Sequence, residues 1–384
     1  MSSLALAVAR SRRLPARVLG IGALVALGWW AVPQLAAAQL PDSLGWRTDF
    51  SKASVALDEI QSGGPPKDGI PPIDRPRFDD VATAGGWLDR LEPVIVVGVG
   101  DDVRAYPLQV LTWHEIVNDT VGGTPVAVTF CPLCNASIVF DRRLDGRLLD
   151  FGTTGKLRMS DLVMYDRQTE TWWQQFTGEA IVGELTGAVL TRVPASIVAF
   201  EDFAAAHPAG KVLNRDTGHR RSYGRNPYRG YDSIEDRPFL FHDPVDPRLP
   251  PMERVLNVSV AGRHRLYPLS ALRGKPVLND RVGDLDVVVL SRDDSRSVLD
   301  ADAIAASRLV PAANAFGRKV GNRVLTFEHR GDAIVDRETG SRWSRLGTAL
   351  EGPLAGTSLP AVPSGVHFAF AWLAFNPSSE IYGR

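Results

Sequence analysis

Val103-Arg-Ala-Tyr-Pro-Leu-Gln-Val-Leu111 returns 161 residues later as His264-Arg-Leu-Tyr-Pro-Leu-Ser-Ala-Leu272. The same spacing sets Ile116-Val-Asn-Asp119 on Val277-Leu-Asn-Asp280 and Val121-Gly122 on Val282-Gly283. It carries Val126–Val128 onto Val287–Val289 without a gap. Further on, Asp166-Arg-Gln-Thr169 matches Asp336-Arg-Glu-Thr339, and Trp173 matches Trp343. The ends agree too: Val193-Pro-Ala-Ser-Ile-Val-Ala-Phe200 is similar to Val362-Pro-Ser-Gly-Val-His-Phe-Ala369. Self-similarity of this kind predicts two copies of one unit, over 90–208 and 254–377.

Each copy reads alike. A β-branched strand (Val94–Val99; Val255–Val260) leads to the Tyr-Pro turn and a short helix. Short strands of alternating character follow: Ser137–Arg142, Leu148–Gly152, Leu162–Tyr165 and Thr171–Phe176. A closing helix is expected over Ala195–Ala206 and Ser364–Phe375. The expected fold class is mainly β (α+β): two tandem copies of a β-rich unit with short helices, related by a pseudo-twofold axis.

Outward from the repeat, the chain divides into a leader (1–38), an N-terminal extension (39–89), the first copy (90–208), an ordered connector (209–253) and the second copy to the end (254–384). The leader has Arg10, Arg12, Arg13 and Arg17, then the apolar run Val18–Val32, then Ala36-Ala37-Ala38. That order predicts a cleaved export signal with Gln39 as the new N-terminus. The competing expectation is an uncut anchor over 18–38, the only route to a membrane. Export places the mature chain in the periplasm or outside the cell. A short helix is expected over Ser51–Ile60.

The Pro/Gly-rich stretch Ser62–Arg77 excludes helix and central strand. It reads either as a connector or as an extended segment pinned by Ile70, Ile73 and Phe78, with Lys67, Asp68, Asp74 and Arg75 turned into a cleft. The Gly152–Lys156 turn reads as a hairpin loop and not a phosphate loop. Trp173 reads as core because it recurs, and Trp172, opposite Arg342, as a pocket residue. In the connector, His219, Tyr223, Tyr228, Tyr231 and His242 are candidate pocket residues. The chain is 44% hydrophobic and 23% charged with net charge −1, which gives no nucleic-acid partner a basic surface.

The chemistry concentrates in the first copy. Thr129-Phe-Cys-Pro-Leu-Cys134 holds both cysteines of the chain, between apolar runs that read as buried strands. Cys131 and Cys134 can chelate a soft metal, and His114 would add an imidazole: two thiolates and one nitrogen suit copper or zinc with a fourth position open. Glu115 or Asp119 would orient the imidazole. In the second copy Arg292 and Ser295 replace the cysteines, and Gly274-Lys275-Pro276 replaces Trp113-His114-Glu115. Such joint loss is what one active and one degenerate copy would show.

The combined motifs resemble a bacterial family known as domain of unknown function 3179. The residues concerned are Gly64–Pro71, Val103–Leu111, Trp113–Asp119, Thr129–Cys134, Asp161–Arg167, Trp172-Trp173-Gln174 and Tyr223–Tyr228. The resemblance implies no activity, since the family's function is unassigned. Three functions stay open from the residues. The first is an exported envelope protein that binds metal through Cys131, Cys134 and His114. The second is a thiol-disulfide redox protein with Cys131 as nucleophile. The third is a non-catalytic envelope binding module with a structural disulfide. Catalytic work, where there is any, would fall to Cys131, Cys134, His114 and Glu115. The partner would be a small molecule or an envelope protein.

Overall fold

Val94-Ile-Val-Val97 is β-branched throughout, and it forms the centre of a strand, Pro93–Val99. A tight turn at Gly100 returns the chain as Asp102–Pro107, paired antiparallel with Val94 opposite Pro107. Ala195–Ala199 adds to the outer edge. On the other side Lys211–Leu213 pairs parallel with Asp102–Pro107, and Phe78–Asp80 closes a five-stranded sheet. These coordinates are a computed structural model, and they describe residues 45–234 and 236–384. The expected leader over 1–38 and the cleavage at Gln39 lie outside the described residues.

Two further sheets carry the rest of the first half. One has four strands, Ile116–Val121, Thr124–Cys131, Ala136–Asp141 and Arg192–Val193. Val126 to Phe130 are all fully buried, so both faces of this sheet are covered and the usual polar alternation is missing. The other runs Ile60–Ser62, Phe151–Arg158, Asp161–Asp166, Trp172–Gln174 and Glu179–Val182. The architecture is mainly β with a few short helices. No described helix is long and apolar enough to cross a membrane.

Motifs that recur in sequence make matching contacts. The Tyr106 hydroxyl donates to Asp119 Oδ2 at 2.6 Å, and Tyr267 donates to Asp280 Oδ2 at 2.8 Å. Arg104 pairs with Asp119 as Arg265 does with Asp280. The Asn118 amide donates to the Phe151 carbonyl at 2.8 Å, and Asn279 to that of Phe327 at 2.7 Å. The indoles of Trp173 and Trp343 each donate to an aspartate, Asp166 and Asp336, at 2.9 Å. Where the first half turns at its cysteines, the second runs on as one long strand, Leu285–Arg296, with a bulge between Arg292 and Ser295.

Several expectations are corrected. The closing helices are half as long as expected: Ala195–Ala199 and Ser364–Phe368 are strands, and only Phe200–Ala206 and Ala369–Phe375 are helical. Backbone pairing with the first strand of each half outweighs helix propensity there. The helix over Ser51–Ile60 shrinks to one turn, Leu57–Glu59. Gly152–Lys156 lies inside the strand Phe151–Arg158, with a bulge between Thr153 and Lys156. Gly155 has φ +70°, and a side chain there would collide with the Pro65 carbonyl. Its glycine therefore lets the Pro-rich stretch dock.

That stretch is pinned, with Ile73 1% exposed and bonded to Ile116 and Asn118. Its charged groups make internal contacts, not a cleft: Lys67 pairs with Glu170, and Asp68 accepts from the Tyr165 hydroxyl. Asp74 pairs with Arg167. Trp172 lines no pocket. It is fully buried edge-on against Trp46 and Phe50, and so fastens the N-terminal residues to the core.

Candidate functional site

Two hairpin tips meet at the cysteines. In the first, Cys131 ends its strand opposite Ala136, and Pro132–Asn135 form the loop. Asn135, at φ +48°, closes that loop with its N–H on the Pro132 carbonyl. In the second, Arg158 pairs with Asp161 and only Met159 and Ser160 lie between, at φ +52° and +64°. Two left-handed residues are what a tight two-residue hairpin demands, but glycine and asparagine are the residues that adopt them cheaply. With Met and Ser the backbone is strained by roughly 1–2 kcal/mol per residue. Glu115, at φ +58°, lies beside the same site. Strain gathered at one place marks a site whose geometry the rest of the fold enforces.

The strained turn delivers two groups to the sulfurs. The Ser160 carbonyl oxygen accepts from Cys134 Sγ at 3.4 Å and stands 3.9 Å from Cys131 Sγ. Ligand atoms of Cys131, Cys134 and Asp161 all lie within 4.8 Å of one another, and all three residues are buried. Asp161 Oδ2 accepts from the Gln174 amide at 2.6 Å and from the Phe176 N–H at 2.8 Å. Asp161 Oδ1 and the Ser160 hydroxyl are buried without a hydrogen-bond partner. An unpaired buried carboxylate oxygen costs on the order of 1–3 kcal/mol, and the two thiols beside Asp161 are the donors at hand.

Burial sets the protonation of the cluster. It pushes the Asp161 carboxyl up to about 7, against the Gln174 and Phe176 donors. It raises the Cys131 thiol, and it raises the Cys134 thiol further, with Cys131 beside it adding to the effect. Both cysteines are free. Glu115 is also pushed up to about 7 by burial, against a hydrogen bond from Tyr228. That bond runs from the Tyr228 hydroxyl to Glu115 Oε1 at 3.2 Å.

His114 is placed elsewhere. Its Nδ1 lies 2.7 Å from the Pro71 carbonyl oxygen, which can only accept, so Nδ1 carries the proton. Nε2 then accepts from the Tyr223 hydroxyl at 2.7 Å. Both ring nitrogens are occupied, and burial pushes the imidazole down to about 4. The structure thus brings Asp161 to the two thiols and leaves His114 locking the Pro-rich stretch to the connector. Asp119 serves Arg104 and Tyr106.

A cavity of about 700 Å³ opens above the cysteine turn. Its floor includes Glu115, Leu133 between the two cysteines, and Leu162 next to Asp161. The connector supplies the opposite wall through Tyr228, Tyr231 and Phe239. Tyr231 ties down by donating to the Leu133 carbonyl at 3.1 Å. Of the other connector candidates, Tyr223 serves His114, and His242 lies 3.0 Å from the Gln61 side chain. The His219 ring packs 5.6 Å from that of His114.

Fold and site together define a β-rich protein with a buried dithiol–carboxylate cluster that could hold a metal ion, set beneath a pocket. Residues 67–379 match the family described as Protein of unknown function (DUF3179), and the chain belongs to that family. No curated protein and no solved structure matches it.

Proposed function

We propose that the protein binds one soft divalent metal ion through Cys131, Cys134 and Asp161, with zinc the best fit. The observation that carries this is the convergence of Cys131, Cys134 and Asp161, whose ligand atoms lie within 4.8 Å of one another. Two thiolates select soft ions such as zinc and copper(I), while a carboxylate favours zinc. Three protein ligands leave a fourth position for a water or a bound molecule, the pattern of zinc sites that act on substrates. Glu115 is the buried carboxyl that lines the cavity and feels the charge of Asp161. His114 ties the Pro-rich stretch to the connector through Pro71 and Tyr223. The redox alternative is the weaker reading, because a thiol that attacks a partner disulfide needs access and both cysteines are buried.

The metal-bearing half is one of two tandem copies, over 90–208 and 254–384, related by a pseudo-twofold axis. The matched tyrosine–aspartate, arginine–aspartate and tryptophan–aspartate contacts support this. Asp166 and Asp336 hold equivalent register positions, opposite Phe151 and Phe327. Asp161 follows its two-residue turn opposite Arg158, and Ala333 follows the matching turn opposite Arg330, so the second copy lacks all three ligands. The order of arginines, apolar run and alanines in 1–38 supports export to the cell envelope, where a bound ion would keep the thiols from oxidising.

A zinc titration against a chromophoric chelator tests the site. One equivalent should bind to the wild type, and none with comparable affinity to Cys131→Ser/Cys134→Ser. Equal binding by both would remove the proposal.

A further inference from the structure

The cavity above the cysteine turn has an uneven charge. Lys156, Arg229 and Arg237 line it, against Asp236 at the rim and Glu115 at the floor. Among the described residues none of the three cations has a carboxylate within salt-bridge distance, while Glu115 is 7% exposed and held by Tyr228. Between floor and rim the lining is apolar or aromatic: Leu133, Leu157, Leu162, Tyr228, Tyr231 and Phe239. Phe239 stands 47% exposed at the mouth among the described residues. The volume of about 700 Å³ falls in the range of small-molecule sites.

We propose that this cavity binds a small amphipathic organic anion. Its apolar or aromatic body lies against Leu157, Tyr228 and Phe239, and its acidic group meets Lys156, Arg229 and Arg237. Unpaired cations around an apolar chamber favour such a molecule over a neutral one of the same shape, because the charge steers and orients it. The assignment extends the proposed metal site, since the cavity floor is the cysteine turn. Binding of the anion does not itself require the ion.

The test uses the full chain and two fluorescent probes of similar bulk, anionic 8-anilinonaphthalene-1-sulfonate and neutral N-phenyl-1-naphthylamine. The anionic probe should saturate at one site and weaken as salt rises. In Lys156→Gln/Arg229→Gln/Arg237→Gln its affinity should fall by about tenfold, with the neutral probe changed less than about twofold and the melting curve retained. Displacement by octanoate marks a lipid-derived acid as the ligand class, and displacement by phenylacetate a free aromatic acid. No saturable binding, displacement by neither acid, or equal loss of both probes in the triple variant would overturn the proposal. Cys131→Ser/Cys134→Ser should still bind the anionic probe. Failure of the metal site and failure of the anion site are thereby read separately.

Discussion

The carbonyl oxygen of Ser160 lies 3.4 Å from Cys134 Sγ, across two hairpins 26 residues apart in sequence. The contact depends on Ser160 holding φ +64°, a conformation that costs a serine free energy and a glycine almost none. Ser160→Gly should therefore raise stability by about 0.5–1 kcal/mol and leave metal binding in place. Removing the unpartnered hydroxyl acts in the same direction. Urea denaturation of the metal-free proteins measures it, and a destabilised variant would show that the hydroxyl has a use assigned to it nowhere above.

Asp161 is expected to be a ligand and not a bystander. Outer-shell changes at metal sites cost about 10–100-fold in affinity, so loss of a ligand should cost at least that much. Asp161→Ala should weaken zinc at least about 100-fold, and His114→Gln should weaken it far less. The reverse order in a chelator competition would move the third ligand back to His114.

The two buried histidines should each contribute a loss of stability in acid. Burial pushes His367 down to about 3 and His114 down to about 4, from an ordinary value of 6.5. Between the folded and unfolded values the unfolded chain binds the extra proton, so each histidine makes stability fall as pH drops from 6.5 towards those values. Glu92, Glu115 and Asp161 oppose them: burial raises each to about 7, so each favours the fold as pH drops from 7 towards its ordinary value. A single-site comparison isolates the sign. His367→Gln should reduce the pH slope of stability by up to one proton, about 1.4 kcal/mol per pH unit, between pH 6 and 4. Parallel curves for wild type and variant would show that His367 does not titrate differently on folding.

The two tyrosine–aspartate contacts should behave alike. Tyr106→Phe and Tyr267→Phe each remove one hydroxyl from an aspartate still paired with arginine. Each should cost about 1–2 kcal/mol, and the double variant the sum, since the sites share no partner. A large cost at one site and none at the other would argue against equivalent copies.

The strands were legible in the sequence because period-2 patterning and β-branched runs are local. The repeat made them firmer, since Tyr106 and Tyr267 report one environment twice. The helices were over-read where Ile197 and Val366 join strands, because pairing partners lie far along the chain. The cysteine turn was legible for the same local reason. Asp161 was not, since it reaches the sulfurs from another hairpin. The matching turn of the second half carries Ala333 opposite Arg330 where the first has Asp161 opposite Arg158, just as Arg292 and Ser295 stand in for the thiols. Nearness in sequence and joint loss with the cysteines in the second copy point to His114. Its ring is fixed by Pro71 and Tyr223, which are 43 and 109 residues away.

The central claim is a metal ion held by two thiolates and a carboxylate, and cobalt(II) substitution reads it most directly. The full chain, reduced and loaded with one equivalent of cobalt(II), should show a sulfur-to-cobalt charge-transfer band in the near ultraviolet. It should also show intense visible ligand-field bands of a four-coordinate ion, and zinc should abolish both. Asp161→Ala should keep the charge-transfer band, with weaker binding and altered visible bands. A wild-type spectrum identical to aqueous cobalt(II), with both thiols still titratable, would contradict the account.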